Sequence, residues 1–281
     1  MSEESVSQIT ADAWGRFRPR GRRRFLQFLV QMGLAHGPIK GVLSRQWFAA
    51  GPREPVDVTR DGLRLRLHPW DNTVEIKLLF ASRARDREEL AFLAEHCRGA
   101  GTFLDVGANV GFYSLAMISR GAGRALAVEP LPTAFGRMTF NIQANGFEER
   151  IQAVQAALGA ERTTVRITEM TGDLGGSSIV KGNLPGRSIE VPLLPLGELL
   201  QERSFSRVDA MKIDVEGMED RVLAPFFAKA PRTLWPQAVV IEHTHGEDWR
   251  EDILEIMQRA GYRSVRKNRS NALLTLGSGP G

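Results

Sequence analysis

The spacing of apolar residues along the chain changes character near residue 102. Before this point, residues 1 to about 50 are helical and basic in pattern. A segment of alternating apolar and polar residues over 56–69, interrupted by Asp61-Gly62, predicts a β-hairpin. Residues 85–97 have apolar side chains at helical spacing and predict an amphipathic helix. The first part of the chain is therefore predicted as a helical and hairpin extension.

From residue 102 onward, short apolar strands alternate with helices. The predicted strands cover 102–107, 124–130, 151–159, 163–169, 189–196, 207–217, 237–243, 262–267 and 272–277, and the helices cover 112–121, 132–146, 218–227 and 250–261. Strands interleaved with crossover helices predict an α/β fold with a doubly wound, mostly parallel sheet. We expect the N-terminal extension to occupy 1–70 and the α/β domain 71–281. Ligands bind such sheets at the carboxyl ends of the strands.

A glycine-containing turn follows the first of these strands. Gly107, Ala108, Asn109 and Gly111 belong to the sequence GANVG, which separates the strand from a helix. Glycine lets a ligand approach the backbone closely, and the start of the helix offers free N–H groups. Asn109 stands where a dinucleotide-binding turn has its second glycine, and Asp105 would repel a pyrophosphate. We therefore expect a cationic ligand here, in contact with Asp105.

A second acid completes the predicted cofactor site. Glu129, followed by Pro130, ends the next strand eighteen residues after Gly111. A carboxylate at this distance can accept hydrogen bonds from the hydroxyls of a ribose. The small side chain of Ala156, after the third strand, leaves room for an adenine ring. S-adenosylmethionine has a ribose, an adenine, a sulfonium and an ammonium group but no phosphate, so these residues predict a site for it.

Three charged residues end another predicted strand. Lys212, Asp214 and Glu216 alternate, so their side chains would share one face of an extended backbone. Burying three charges together is costly unless they pair or bind a ligand. A structural pair between Lys212 and a glutamate is one interpretation of this cluster. The other is a site beside the bound cofactor, in which Asp214 would also contact the cofactor.

Together with LDVGANVG and AVEP, the segment MKIDVEGMEDRVL (residues 211–223) resembles the FkbM family of methyltransferases. The resemblance runs from roughly Asp71 to Leu276 and rests on the pattern K-x-D-x-E-G-x-E after the fourth strand. It implies a Rossmann-like domain that uses S-adenosylmethionine, usually to methylate a hydroxyl oxygen of a natural product or sugar. One departure is Leu196-Gly197, where relatives often have leucine-aspartate.

A hydroxyl acceptor must lose a proton, so a base is expected at the ends of the fourth and fifth strands. Our order of candidates is Asp214, then His243, then Glu216, with Lys212 as a further catalytic residue. The base would assist an in-line displacement of the methyl group. Most of the rate enhancement of such a reaction comes from alignment of the reactants and exclusion of water.

The acceptor side of the pocket is predicted from two further segments. Glu242 and His245 follow the fifth strand, and Ser177 and Ser178 lie in a loop rich in glycine and serine. Histidines and carboxylates together could bind a divalent metal, but their spacing here matches no strong metal motif, so no metal site is predicted.

Composition and charge narrow the remaining possibilities. Of the 281 residues, Cys97 is the single cysteine, which fits a reducing compartment, and no apolar run is long enough to cross a bilayer. The first residues lack the layout of a secretory signal, so we expect a cytoplasmic protein. Residues 16–24 carry six arginines and no acid. This run could bind phosphates, an anionic membrane or a second subunit, or remain a solvated arm.

Alternative functions stay open on this evidence. The arginine run allows an RNA or protein methyltransferase, although no nucleic-acid-binding module is recognisable and aromatic residues make up only 7% of the chain. A non-catalytic S-adenosylmethionine-binding protein is a second alternative, and the grouped charges at two strand ends argue against it. A nicotinamide-dependent dehydrogenase is set aside on the glycine spacing. The preferred partner is a small hydroxylated acceptor, with homo-oligomerisation through the extension also possible.

Overall fold

The structure, a computed structural model, describes residues 12–33, 37–80, 86–170 and 186–277. The helices are α1 (Gly21–Gln31), α2 (Gly37–Ala49), α3 (Thr73–Phe80), α4 (Arg87–His96), α5 (Phe112–Ser119), α6 (Pro132–Asn145), α7 (Leu196–Glu202), α8 (Glu219–Lys229) and α9 (Ile253–Arg259). The strands are β1 (Val56–Arg60), β2 (Leu63–Leu67), β3 (Thr102–Val106), β4 (Arg124–Val128), β5 (Ile151–Val154), β6 (Ala157–Gly159), β7 (Thr163–Met170), β8 (Gly186–Pro195), β9 (Ala210–Ile213), β10 (Ala238–Glu242), β11 (Tyr262–Lys267) and β12 (Asn271–Leu276). None of the helices in these ranges combines the length and apolar character needed to cross a membrane.

A seven-stranded sheet forms the centre of the molecule, with the strand order β11-β12-β10-β9-β3-β4-β5. Strands β5, β4, β3, β9 and β10 are parallel, and β12 runs antiparallel to β10. The predicted doubly wound, mostly parallel fold is therefore confirmed. The chain order reverses between β3 and β9, so their carboxyl ends flank the crevice in which such sheets bind ligands.

Helices cover both faces of this sheet because successive residues of its strands point to opposite sides. Phe103 of β3 and Ala125 of β4 belong to the core that packs against α1 to α6. Their neighbours Leu104 and Leu126 belong to the second core, which packs against α7 to α9. Both faces of the sheet are buried, which explains why the strand sequences are nearly continuous apolar runs.

The N-terminal extension packs on the first of these faces. Its apolar residues, including Leu26 and Trp47, belong to the same core as Phe103. Asn141 of α6, fully buried, accepts a hydrogen bond from the Arg66 amide at 2.7 Å and donates one to the Val110 carbonyl at 3.1 Å. The β1–β2 hairpin is therefore anchored beside the turn that follows β3.

Three features of the fold differ from the sequence-based prediction, the first being helix α7 at Leu196–Glu202, where no helix was predicted. Helix α3 forms at Thr73–Phe80, where no element was predicted, and it is only eight residues long. The single strand predicted over 151–159 is wrong, because β5 ends at Val154 and β6 leaves the main sheet to pair with β8. With β7, these strands form a separate three-stranded sheet. No glycine or proline marks the break, so local sequence carries no signal for it.

Candidate active site

The glycine turn after β3 is fixed by two glycines that no other residue could replace without strain. Gly107 and Gly111 have φ angles of 74° and 81°. A Cβ atom on Gly107 would lie 1.9 Å from the carbonyl oxygen of Asp214, and one on Gly111 would lie 2.9 Å from Cγ of Met138. The turn therefore approaches both the end of β9 and helix α6 as closely as a backbone can.

Glu129 is held beside this turn by backbone amides. Its Oε2 accepts a hydrogen bond from the Asn109 amide at 2.8 Å, and its Oε1 accepts one from the Leu131 amide at 3.0 Å. Burial raises the pKa of Glu129 to about 7, although these two amides act in the opposite direction. Each carboxylate oxygen retains acceptor capacity toward the pocket, which Pro130 and Ala156 also line.

Asp105, the residue expected to contact the cofactor, is buried and does not line the pocket. Its side chain is fully buried on β3, and Oδ2 accepts hydrogen bonds from the amide (3.0 Å) and hydroxyl (2.7 Å) of Ser114. Strand alternation directs the carboxyl group toward the first turn of α5. Burial raises the pKa of Asp105, while the Lys212 ammonium opposes the rise. Its role in this arrangement is to fix α5.

Lys212 joins the two strand ends. Its Nζ lies 3.1 Å from Oδ2 of Asp214 and donates to the Gly107 carbonyl oxygen at 3.3 Å. The same ammonium lies 5.4 Å from the centre of the Tyr113 ring, within cation–π range. The partner of Lys212 is thus Asp214 and the turn, where the sequence had suggested a glutamate.

Three carboxyl groups converge where β9 and β10 end. One carboxylate oxygen from each of Asp214, Glu216 and Glu242 lies within 4.8 Å of the other two. The convergence does not arise from an extended alternation, because β9 ends at Ile213 and Glu216 has a φ of 53° in the left-handed region. The turn itself directs Glu216 back toward its neighbours.

This crowding separates the protonation states of the three acids. Burial raises the pKa of Asp214, but the Lys212 ammonium, a hydrogen bond from Glu242 and the Lys77 charge together more than offset it, so the pKa lies below its ordinary value. Burial and the Asp214 charge raise the pKa of Glu216 to about 7 and that of Glu242 to about 9. At neutral pH, Asp214 is therefore ionised beside a protonated Glu242, which limits the repulsion.

The two histidines after β10 have different surroundings. Nε2 of His243 donates to the Asn268 carbonyl oxygen at 3.2 Å, and His243 does not line the pocket described below. Nε2 of His245 lies 3.2 Å from Oε2 of Glu216. An extended strand would place the two side chains on one face, but β10 ends at Glu242 and the chain turns. Only His245 contacts the acidic cluster.

Most of these groups line one pocket, whereas Asp105, His243 and His245 do not. The previously predicted residues that line it are Gly107, Ala108, Asn109, Glu129, Pro130, Ala156, Lys212, Asp214, Glu216 and Glu242. Gly111 supports it from behind through its contact with α6. Ser177 and Ser178, expected on the acceptor side, lie outside the described residues.

Sequence reasoning missed the wall that α3 contributes to this pocket. Thr73, Val74, Lys77 and Leu78 line it. The helix is positioned at its start, where Nδ2 of Asn72 donates to Oδ1 of Asn109 at 2.9 Å. A short helix in the stretch that joins the extension to the α/β domain gives little periodic signal.

Sequence reasoning also missed four further residues of the pocket wall. Tyr113, Met218, Ser270 and Asn271 also line it. Ser270 and Asn271 lie at the start of β12, which is antiparallel to β10, so an amino-terminal strand end reaches the same edge as the carboxyl ends. A rule that searches only carboxyl strand ends cannot find them.

A family comparison agrees with this site. Residues 105–264 match the model of the methyltransferase FkbM domain. A curated relative, methyltransferase sdnD of Sordaria araneosa, is 27% identical over 150 residues, which cover 43% of this chain and 58% of that protein. The match thus spans less than two thirds of the relative's length.

Solved structures of similar fold are distant in sequence. The METTL16 MTase domain aligns with 76% of this chain and 72% of its own, with a TM-score of 0.46 and 14% identity. A putative O-methyltransferase from Klebsiella pneumoniae aligns with 69% of this chain and 81% of its own, with a TM-score of 0.45 and 12% identity. Because both TM-scores are below 0.5, these two structures support no conclusion about this chain. Because the FkbM model spans more than half of the chain and includes the glycine turn, Glu129 and the acidic cluster, the chain belongs to the FkbM methyltransferase family.

Proposed function

We propose that this chain transfers a methyl group from S-adenosylmethionine to a hydroxyl oxygen of a small molecule, such as a sugar or natural product. The observation that carries the proposal is the position of the acidic cluster. Asp214 follows the strand next to the glycine turn, and its carboxyl group opens into the same pocket as Glu129. A donor held at Glu129 and an acceptor proton near Asp214 would therefore be neighbours.

The residues around the glycine turn fit S-adenosylmethionine. Gly107 and Gly111 keep the turn free of side chains, so a ligand can contact its backbone. Glu129 has acceptor capacity for ribose hydroxyls, and Ala156 and Leu158 offer small or apolar surface to an adenine ring. Lys212 is compensated by Asp214, so the local charge suits a sulfonium better than a phosphate.

The bound donor supplies an electrophilic methyl carbon whose bond to sulfur breaks as the new bond to oxygen forms. The acceptor hydroxyl must release its proton, and Asp214 is the proposed base because Lys212 keeps it ionised. Glu242, protonated at neutral pH, limits the build-up of negative charge beside Asp214. Glu242 and Glu216 line the pocket beside Asp214 and would contact the acceptor. His245, whose Nε2 lies 3.2 Å from Oε2 of Glu216, would contact the acceptor with them.

Glu216 is a second candidate for the base. Its pKa of about 7 matches the pH at which a general base is most effective. The two candidates differ in the predicted dependence of rate on pH, because Asp214 remains ionised well below neutrality and Glu216 does not.

The first experiment is calorimetric titration of the full chain with S-adenosylmethionine, S-adenosylhomocysteine and NAD in parallel. Saturable binding of both adenosyl ligands and none of NAD supports the donor site and justifies a screen of hydroxylated acceptors by mass spectrometry. Methylation of an RNA or protein instead of small hydroxylated compounds would overturn the acceptor class. Binding of the donor without transfer to any acceptor would favour a non-catalytic binding protein.

A further inference from the structure

The helical hairpin of α1 and α2 carries an apolar surface that no part of the chain described by the structure covers. Among the residues that the structure describes, the exposed large hydrophobic side chains are Phe25, Phe28, Met32, Ile39, Val42 and Val265. The first five lie on or directly after α1 and on α2, and we call them the hairpin face. Three of them, Phe25, Phe28 and Met32, are 60%, 54% and 62% exposed.

Helical geometry places the three side chains of α1 and its end on one side of the helix. Residues three and four apart share a helix face, so Phe25, Phe28 and Met32 form one stripe. The inward stripe of α1 is a different set, in which Arg23, Leu26 and Val30 are buried. A helix that already packs through one stripe gains nothing within its own fold from a second.

The helix is firmly held in this orientation. The Arg23 guanidinium stacks 4.4 Å from the centre of the Trp47 ring and donates to the Pro52 carbonyl at 2.8 Å. Trp47 packs edge-on against Phe80 of α3, with ring centres 5.5 Å apart. The exposed stripe is therefore presented by a packed helix.

The segment that carries the hairpin face is basic throughout, although Asp12 and Glu54 border it and the former pairs with Arg16. From Ala13 to Arg53 the chain contains nine arginines and lysines and no acidic residue, whereas the chain as a whole has 37 basic and 33 acidic residues. The rest of the chain is thus net acidic. Exposed Arg22 and Arg24 flank the apolar stripe of α1 on its two sides. Such a segregation is typical of a surface that meets an anionic partner.

We infer that the hairpin face docks on an anionic lipid bilayer, with its apolar side chains in the headgroup boundary and its arginines on lipid phosphates. An apolar stripe bordered by basic residues is the pattern of helices that lie in a membrane interface. A second copy of this chain is a poorer occupant, because a symmetric contact through this face would oppose arginines to arginines. A nucleic acid would leave the apolar stripe in water.

The helical hairpin of α1 and α2 lies close to the pocket, with α3 between them. Helix α3 packs against Trp47 through Phe80 and lines the pocket through Thr73 and Lys77. One helix therefore separates the docked surface from the pocket.

The experiment is flotation of the full chain with phosphatidylcholine vesicles prepared with and without phosphatidylserine, at low and high salt. We expect flotation only with phosphatidylserine, weakened by salt because the arginine contribution is screened. Phe25→Ser combined with Phe28→Ser should abolish flotation. Arg24→Gln should weaken binding on the order of fivefold, the contribution of one basic residue at an anionic surface.

The matched control is Val265→Ser, which removes the sixth exposed hydrophobic residue, 60% exposed at the bulge of β11. It should float as the unmodified chain does. All these positions are exposed, so circular dichroism and thermal melts should be unchanged. Absence of flotation, or equal flotation of the double variant, overturns the inference. So does a concentration-dependent dimer, or RNA binding, that the double variant abolishes while vesicles are not bound.

Discussion

Gly107 packs against the backbone of Asp214 so closely that a Cβ atom on Gly107 would lie 1.9 Å from the Asp214 carbonyl oxygen. The amide of Asp214 also donates to the Val106 carbonyl at 3.0 Å. The turn that is proposed to hold the donor and the strand end that carries the proposed base therefore fix each other's position. Alignment of donor and acceptor depends on this contact.

Replacement of Gly107 by alanine should separate these two segments. The φ of 74° costs an L-residue about 1–2 kcal/mol, and the clash with a backbone carbonyl adds to it. We expect thermal unfolding at lower temperature and loss of S-adenosylmethionine binding by calorimetry. Gly121→Ala is the control, because Gly121 has a φ of 104° but open space around it. If both variants bind equally well, the close contact has no functional weight.

Asp214→Asn should remove turnover and keep donor binding. Loss of a general base reduces rates by about 10²–10⁴-fold, whereas the substitution leaves the Asp214 backbone, which contacts Gly107 in the proposed donor site, unchanged. Single-turnover methylation and calorimetry with S-adenosylmethionine separate the two effects. Loss of donor affinity in a folded Asp214→Asn protein would contradict the division of the pocket into donor and acceptor sides.

The dependence of rate on pH distinguishes Asp214 from Glu216. With Asp214 as base and S-adenosylmethionine saturating, kcat/KM for the acceptor should change little between about pH 8 and about pH 6, since Lys212 and Glu242 help to hold the Asp214 pKa low. With Glu216 as base, the rate should fall about tenfold per pH unit below its pKa of about 7. Glu216→Gln should then lose the rate and the pH dependence together.

Much of the donor side was predictable from sequence because its residues are consecutive. The turn from Gly107 to Gly111 and Glu129 after β4 follow directly from strand ends, and the structure brings them into one pocket. Asp105 was misplaced because alternation along β3, and not proximity in sequence, decides which face a side chain takes.

The acceptor side was less predictable because it depends on tertiary contacts. The convergence of Asp214, Glu216 and Glu242 was anticipated only as a common strand edge. Their separate pKa values arise from burial, from the Asp214 charge on the two glutamates and from the Lys212 charge on Asp214. Helix α3 has too few residues to give a periodic signal. His243 faces Asn268 because β10 ends one residue earlier, a boundary that local pattern does not fix.

Donor affinity should itself depend on pH through Glu129. If ribose hydroxyls donate to its carboxylate, protonation below the pKa of about 7 removes an acceptor and weakens binding, by at most about tenfold per pH unit. Calorimetry with S-adenosylmethionine at about pH 8 and about pH 6 measures the change. Glu129→Gln should bind weakly at both values, while Glu216→Gln should keep the dependence. Equal affinity of the unmodified chain at both values would exclude Glu129 from the donor site.

A buried ion pair positions the α3 wall of the pocket. Arg137 of α6 contacts Glu75 of α3 at 2.6 Å and Asp71 at 2.8 Å, and Glu75 is fully buried. Arg137→Met leaves Glu75 without its cation, which should cost about 3 kcal/mol of unfolding free energy. Adding Glu75→Gln should restore part of it in urea unfolding. The control is Arg166→Met, which breaks the exposed pair with Glu190 and should cost less than about 1 kcal/mol. Similar losses for Arg137→Met and Arg166→Met would refute the positioning role.

Glu242 should make the fold less stable as the pH rises. Its pKa is about 9 in the folded chain, against an ordinary value of 4.5, because burial and the Asp214 charge disfavour ionisation. Between these two values the folded state binds a proton that the unfolded state has lost, so stability falls as the pH rises through this window. Glu242→Gln removes the titration, and we expect it to exceed the unmodified chain in stability by about 1 kcal/mol or more at about pH 8.5, with little gain at about pH 5. Urea unfolding at both values measures this, with Glu251→Gln at an exposed position as the control. A gain that is the same at both values would mean that the effect arises from packing and not from protonation.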